Sequence, residues 1–116
     1  MFVTKELLEK KRACKDQLDL FNELFPEGVE LTRELILEHA QMLDWDWCAD
    51  RLLPTGSPRS SVYYLATKQA WAAFNLAIMS AYKTNETYEE YEIAIIPARE
   101  ALAIARATAF ADALGL

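Results

Sequence analysis

Residues 70–82 read AWAAFNLAIMSAY, and only Asn75 and Ser80 in this run are polar. A helix through it carries apolar side chains on every side, which predicts burial over most of its circumference and a place at the centre of the fold. Ser57-Pro58 opens that helix, a capping hydroxyl followed by Pro at the first helical position, where its missing N–H has no partner to lose. The loop PTGSPRS, residues 54–60, separates it from what precedes. Downstream, after a turn at Lys83–Glu86, Thr87-Tyr88-Glu89-Glu90 matches a capping box. A last helix then runs to Leu114 with Gly115 just beyond, and Pro97 within it predicts a kink or a split, because the carbonyl of Ile93 loses its donor.

An internal echo links these segments: AWAAFNLAI from Ala70, TYEEYEIAI from Thr87, AREALAIAR from Ala98 and AFADALGL from Ala109. Eleven-residue steps join Trp71 to Tyr82, and Tyr88 to Arg99 to Phe110. That step is close to three turns of natural helix, so residues so spaced keep to one stripe. With small Ala70, Ala81, Ala98 and Ala109, the last two long elements are expected to pack as a close antiparallel pair.

Upstream, Thr4 caps a first helix, and Leu7, Lys11, Cys14, Leu18, Phe21 and Phe25 share one side of it, predicting a continuous helix until Pro26-Glu27-Gly28 stops it. Thr32 caps the next, with Leu31 and Ile36 placed as a hydrophobic staple, and that helix is expected to reach about Leu43. In LDWDWCADRLLP, residues 43–54, Asp44 repeats the pattern: a cap, Leu43 before it and Cys48 four positions in. Trp45, Cys48, Ala49 and Leu52 line one face, Asp46 sits with Asp44 at the positive end of the helix dipole, and Trp47 is placed to stack on Arg51.

With 116 residues, 53% of them apolar, and only 3 Gly and 4 Pro, the chain has material for one core and too few turn formers for a β-sandwich. The expected fold is all-α, a single helical domain over residues 1–116. It is a bundle of about five helices with a central apolar helix and a Pro-interrupted last one. MFVTKELLEK turns amphipathic at once, without a signal peptide's apolar run, and no uncharged apolar stretch of about 18 residues exists. A soluble, cytoplasmic protein is expected, with Cys14 and Cys48 as reduced core thiols.

The net charge of −6 is uneven. Residues 16–50 carry ten acids against Arg33 alone, residues 51–83 carry Arg51, Arg59, Lys68 and Lys83 with no acid, and residues 84–116 return to −4. Direct nucleic-acid binding is disfavoured, since Lys5, Lys10, Lys11, Arg12 and Lys15 form a short basic patch without interleaved aromatics. Asp16, Asp19, Glu23, Glu27, Glu30, Glu34 and Glu38 form the candidate interaction face, and Tyr63, Tyr64, Tyr88 and Tyr91 are aromatics the core is not expected to cover. An acidic helical face can complement a partner's basic groove.

No catalytic or metal-binding set emerges, and no cofactor is expected. Asp44-x-Asp46-x-x-x-Asp50 departs from an EF-hand loop at Cys48, Ala49 and Thr55. His39 is the only histidine, the cysteines lack C-x-x-C spacing, and G-x-S-x-G, a phosphate loop and H-E-x-x-H do not occur.

ACKDQLDLFNELFPEGVELT, HAQMLDWDWCADRLL and the Ala and aromatic repeats ending in ARATAFADA together resemble a group of small helical proteins. These are encoded by bacteriophages and bacterial mobile elements and share a D-W-D-W-x-A-x-x-L-L stretch. This chain departs from the group at Cys48, where Ala is usual, and at KTNET, which interrupts the eleven-residue step. The resemblance brings no catalytic residues. It implies a non-enzymatic protein that binds and modulates a host factor, in its sharpest form an inhibitor of a bacterial defence system such as an anti-CRISPR. The partner is then a protein, a basic nucleic-acid-handling one, with no membrane and with a homodimer as a further expectation. A toxin-neutralising immunity protein and a self-associating assembly protein are the alternatives.

Overall fold

The computed structural model of the chain describes residues 1–54 and 56–116. Its fold is mostly helical: β1 (Phe2–Val3), α1 (Lys5–Lys10), α2 (Lys15–Leu24), β2 (Val29–Glu30), α3 (Arg33–Glu38), α4 (Trp45–Leu52), α5 (Pro58–Thr84), α6 (Tyr88–Ala94) and α7 (Ile96–Ala113). The molecule is elongated, 46 × 31 × 24 Å.

Each helix start named from sequence is a cap. The hydroxyls of Thr4, Thr32, Ser57 and Thr87 accept from the amides of Leu7, Leu35, Ser60 and Glu90, and the Asp44 carboxylate accepts from Trp47. The capping box at Thr87 closes one residue early, since the Glu90 carboxylate accepts from the amide of Glu86. Pro97 splits the last helix at Ile95 into α6 and α7. Trp71 of α5 meets Arg106 of α7 while Tyr82 meets Tyr91, so the two long helices run in opposite directions. Thr55 of the PTGSPRS loop, also the position where an EF-hand would need a carboxylate, lies outside the described residues.

Three expectations fail on tertiary grounds. The continuous first helix is broken at Lys11–Cys14, where Arg12 takes a left-handed φ of 66°. Unbroken, it would set Lys11 between apolar neighbours; the break leaves Lys11 and Cys14 exposed and lets Leu8 and Phe21 enter one core. Cys14 is therefore not a core thiol. The second helix stops at Glu38 rather than near Leu43, and a turn buries Ala40, whose carbonyl accepts the indole N–H of Trp45 at 3.1 Å. In a longer helix that carbonyl would be taken by an amide one turn later. The chain is also not purely helical. Val3 pairs with Val29 and Phe2 with Glu30 in an antiparallel ribbon, turned by Gly28 (φ 82°), where a Cβ would come within 2.9 Å of the Val3 carbonyl oxygen.

The largest difference concerns α5. At 27 residues it spans about 40 Å, yet only Tyr63, Thr67 and Ala81 along it are buried. It is not a central helix sheathed by others. One side packs on α7, its two ends touch α4 and α6, and the rest faces solvent. The core lies instead in a body made of the ribbon, α1–α4 and the end of α7, where Ile36, Trp45, Ala49, Tyr63 and Phe110 are almost fully buried. Trp45 packs on Phe110 with centroids 5.6 Å apart. The rest of α5, α6 and the first half of α7 project as an arm. Among the described residues, no helix is long and apolar enough to cross a membrane.

Candidate interaction surface

The two tryptophans of DWDW are structural. Trp45 is 2% exposed, and half-buried Trp47 joins it around an apolar void of about 60 Å³, well below the roughly 150 Å³ of an apolar cavity that admits benzene. Trp47 does not stack on Arg51, whose guanidinium turns to Asp50 at 3.3 Å; the cation–π contact is that of Arg106 over Trp71, at 5.5 Å. Cys48 lies beside Trp47 against the core, and burial with the nearby Asp44 carboxylate pushes its thiol up to about 12, the reverse of what a nucleophile needs.

The carboxylates of DWDW take part in a junction that the sequence reading missed. Arg106 of α7 bridges Asp44 at 3.1 Å and Asp46 at 3.0 Å, and the phenol of fully buried Tyr63 on α5 donates to Asp46. Burial, then the bond to Asp46, raises the Tyr63 phenol above its ordinary value. Tyr63 is thus no surplus aromatic. This cluster ties α4, α5 and α7 together where arm meets body, and it sets a guanidinium where a metal reading of the aspartates would set an ion. A signal was present: Arg106 is the only charge between Ala101 and Ala111, and a lone charge in such a run implies a buried partner. Among the described residues, no three His, Cys, Asp or Glu side chains converge. His39 caps α3, with Nδ1 2.9 Å from the Leu35 carbonyl and its ring edge-on to Phe25.

The acidic residues Asp16, Asp19, Glu23, Glu27, Glu30, Glu34 and Glu38 are all exposed. Two of them are paired, Asp19 with Lys15 at 3.0 Å and Glu30 with the N-terminal amine at 3.0 Å.

Exposed apolar surface gathers on the arm. Leu65, Leu76, Tyr82, Tyr88 and Ile93 each keep about 70% or more of their area in water, at 71, 68, 77, 75 and 68%. At the tip, Tyr82, Tyr88 and Tyr91 with Glu86 line an open hollow of about 520 Å³. The Tyr82 and Tyr91 rings are almost perpendicular, with centroids 6.4 Å apart, and Tyr88 lies 6.2 Å from Tyr91. Between Thr84 and Ala98 there are four acids, Glu86, Glu89, Glu90 and Glu92, and no base. Sequence had named Tyr64, Tyr88 and Tyr91; Tyr82 was missed because its run read as buried.

Set against protein-family models, characterised proteins and solved structures, the chain matches none.

Proposed function

We propose that this chain is a non-enzymatic interaction protein, of the kind phages and mobile elements direct at a host factor, and that the arm tip takes a cationic side chain of a basic protein partner. The observation that carries this reading is the hollow among Tyr82, Tyr88 and Tyr91 beside Glu86. Aromatic faces attract a cation by about 0.5–2 kcal/mol, and the Glu86 carboxylate in the lining reinforces that preference. A host protein that handles nucleic acid presents clustered Lys and Arg of this type. The exposed acids from Asp16 to Glu38 add a field of the same sign that steers such a partner on approach. An inhibitor of a defence nuclease is the sharpest form of this function.

The test is affinity capture from nuclease-treated bacterial lysate, read by mass spectrometry, with the wild type and a Tyr82→Ala/Tyr88→Ala variant side by side. The expected result is one basic protein recovered by the wild type, released by salt and lost with the variant. Equal recovery by both would contradict the role given to the tip.

A further inference from the structure

Beside the tip, the arm has a second unpartnered face with a different chemistry. On α5, Val62, Ala66, Gln69, Ala73, Leu76 and Ser80 follow one another at alternating steps of four and three, and on α7 Pro97, Ala101, Ile104 and Thr108 do the same. Residues so spaced share one side of a helix. Between the two rows lies a hollow of about 340 Å³ lined by six alanines, Ala73 and Ala101 of the rows among them, together with Phe74 and Leu102. Every row residue except half-buried Thr108 is exposed. The charges of these segments, Lys68, Arg99, Glu100 and Arg106, all fall outside the rows.

We infer that this face is closed by the same face of a second copy of the chain, the two arms forming a four-helix bundle. Three observations select that occupant. First, the face carries its own knobs and hole. Val62, Leu76 and Ile104, 47, 68 and 50% exposed, project from the two rows, whose Ala73 and Ala101 line the hollow between them, and an isologous contact requires one patch to complement itself. Second, the absence of charge rules out the basic partner assigned to the tip and any nucleic acid, while alanine floors allow helix axes to approach to about 8 Å. Third, the area fits a weak dimer. The α5 row from Val62 to Ser80 is about 27 Å long and the α7 row from Pro97 to Thr108 about 17 Å, each about 10 Å wide, on the order of 400 Å² per copy. The paired total of about 900 Å² is that of a small interface, so the pairing is a weak one, formed at micromolar concentration and above. The pairing covers a second side of α5, which the single chain leaves exposed. It does not depend on what the tip binds.

Ala73 and Ala101 are exposed in the single chain, so Ala73→Glu/Ala101→Glu leaves the monomer fold intact while placing carboxylates in the dry contact. The experiment measures molar mass by light scattering from micromolar concentration upward, in reducing buffer so that exposed Cys14 forms no cross-link. Circular dichroism checks the fold, and Asn75→Glu, exposed on another side of α5, is the control. Wild type and control should climb to twice 13.2 kDa, and the double variant should remain single, its association weakened at least about 100-fold. A wild type that stays at one chain throughout, a double variant that pairs as the wild type does, or a mass climbing past two chains would each overturn the inference. A wild type that stays single yet still captures the basic partner through its tip overturns the pairing alone and leaves the proposed function standing.

Discussion

The two halves of α7 have nearly the same composition and opposite fates. From Ala107 to Ala113 five residues are buried, Ala107, Ala109, Phe110, Ala111 and Ala113; from Ile96 to Ala105 only Leu102 is. The first set is ringed by α3, α4 and the start of α5, while the second packs on α5, with polar contacts from Gln41 to the Glu100 carbonyl and from Arg99 to Glu92. Apolarity in this chain therefore marks two kinds of surface, one that the chain covers itself and one that it leaves exposed. The difference is made by what stands opposite a helix rather than by the helix.

The sharpest way to break this contrast is to cut equal-looking residues on its two sides. Trp45→Ala in the body should cost about 3–5 kcal/mol in urea unfolding, a large part of the stability of a small domain. Leu76→Ala on the arm, measured at low concentration, should stay within about 0.5 kcal/mol of the wild type. Comparable losses at the two sites would erase the distinction.

The junction between body and arm gives the next effect. Tyr63→Phe removes the hydroxyl that bonds the Asp46 carboxylate, and a loss of about 1.5 kcal/mol is expected from the same unfolding measurement. An unchanged midpoint would mean that Arg106 alone holds the helices together.

Alkaline pH probes the same region more gently. The thiol of Cys48, pushed from 9.0 up to about 12, and the raised phenol of Tyr63 are both protonated in the folded chain. The unfolded chain releases these protons first, so the stability they contribute is complete below pH 9.0 and is lost as pH rises from there toward about 12. Cys48→Ala removes the thiol's share. Its urea midpoint should fall less than that of the wild type between about pH 8 and about pH 10, and parallel curves would place the thiol in water.

The smallest expected effect is a gain. The end of α1 and the end of α7 carry the same paired bonds, Ala13 N–H to the Leu8 carbonyl with Arg12 to Glu9, and Leu116 to Ala111 with Gly115 to Asp112. The left-handed residue is Gly115 in one and Arg12 in the other. Arg12→Gly should stabilise by about 0.5–1 kcal/mol in thermal unfolding, because glycine adopts that φ without a Cβ clash.

These contrasts also mark what was legible in the sequence. Caps at Thr4, Thr32, Asp44, Ser57 and Thr87 and the break at Pro97 follow from chemistry within one turn of helix, and each stands where it was expected. The ends of α1 and α3 do not, because they are fixed by how Leu8, Phe21 and Ala40 meet the core across the chain. The ribbon at Val3 and Val29 is too short to show alternation. For the candidate site, Tyr88, Tyr91 and the acids were visible as residue types, whereas Tyr82 and the alanine face were hidden by reading apolarity as self-burial. Arg106 was hidden because its partners lie some 60 positions away.

Hydrogen exchange of the isolated chain at two concentrations tests most directly whether one molecule leaves the arm uncovered and a second copy covers it. Amides of α3, α4 and the end of α7 should be protected at both concentrations. Those from Ala70 to Ser80 and from Ala98 to Ala105 should exchange fast when dilute and slow when concentrated. An arm as protected as the body in dilute solution would contradict the account.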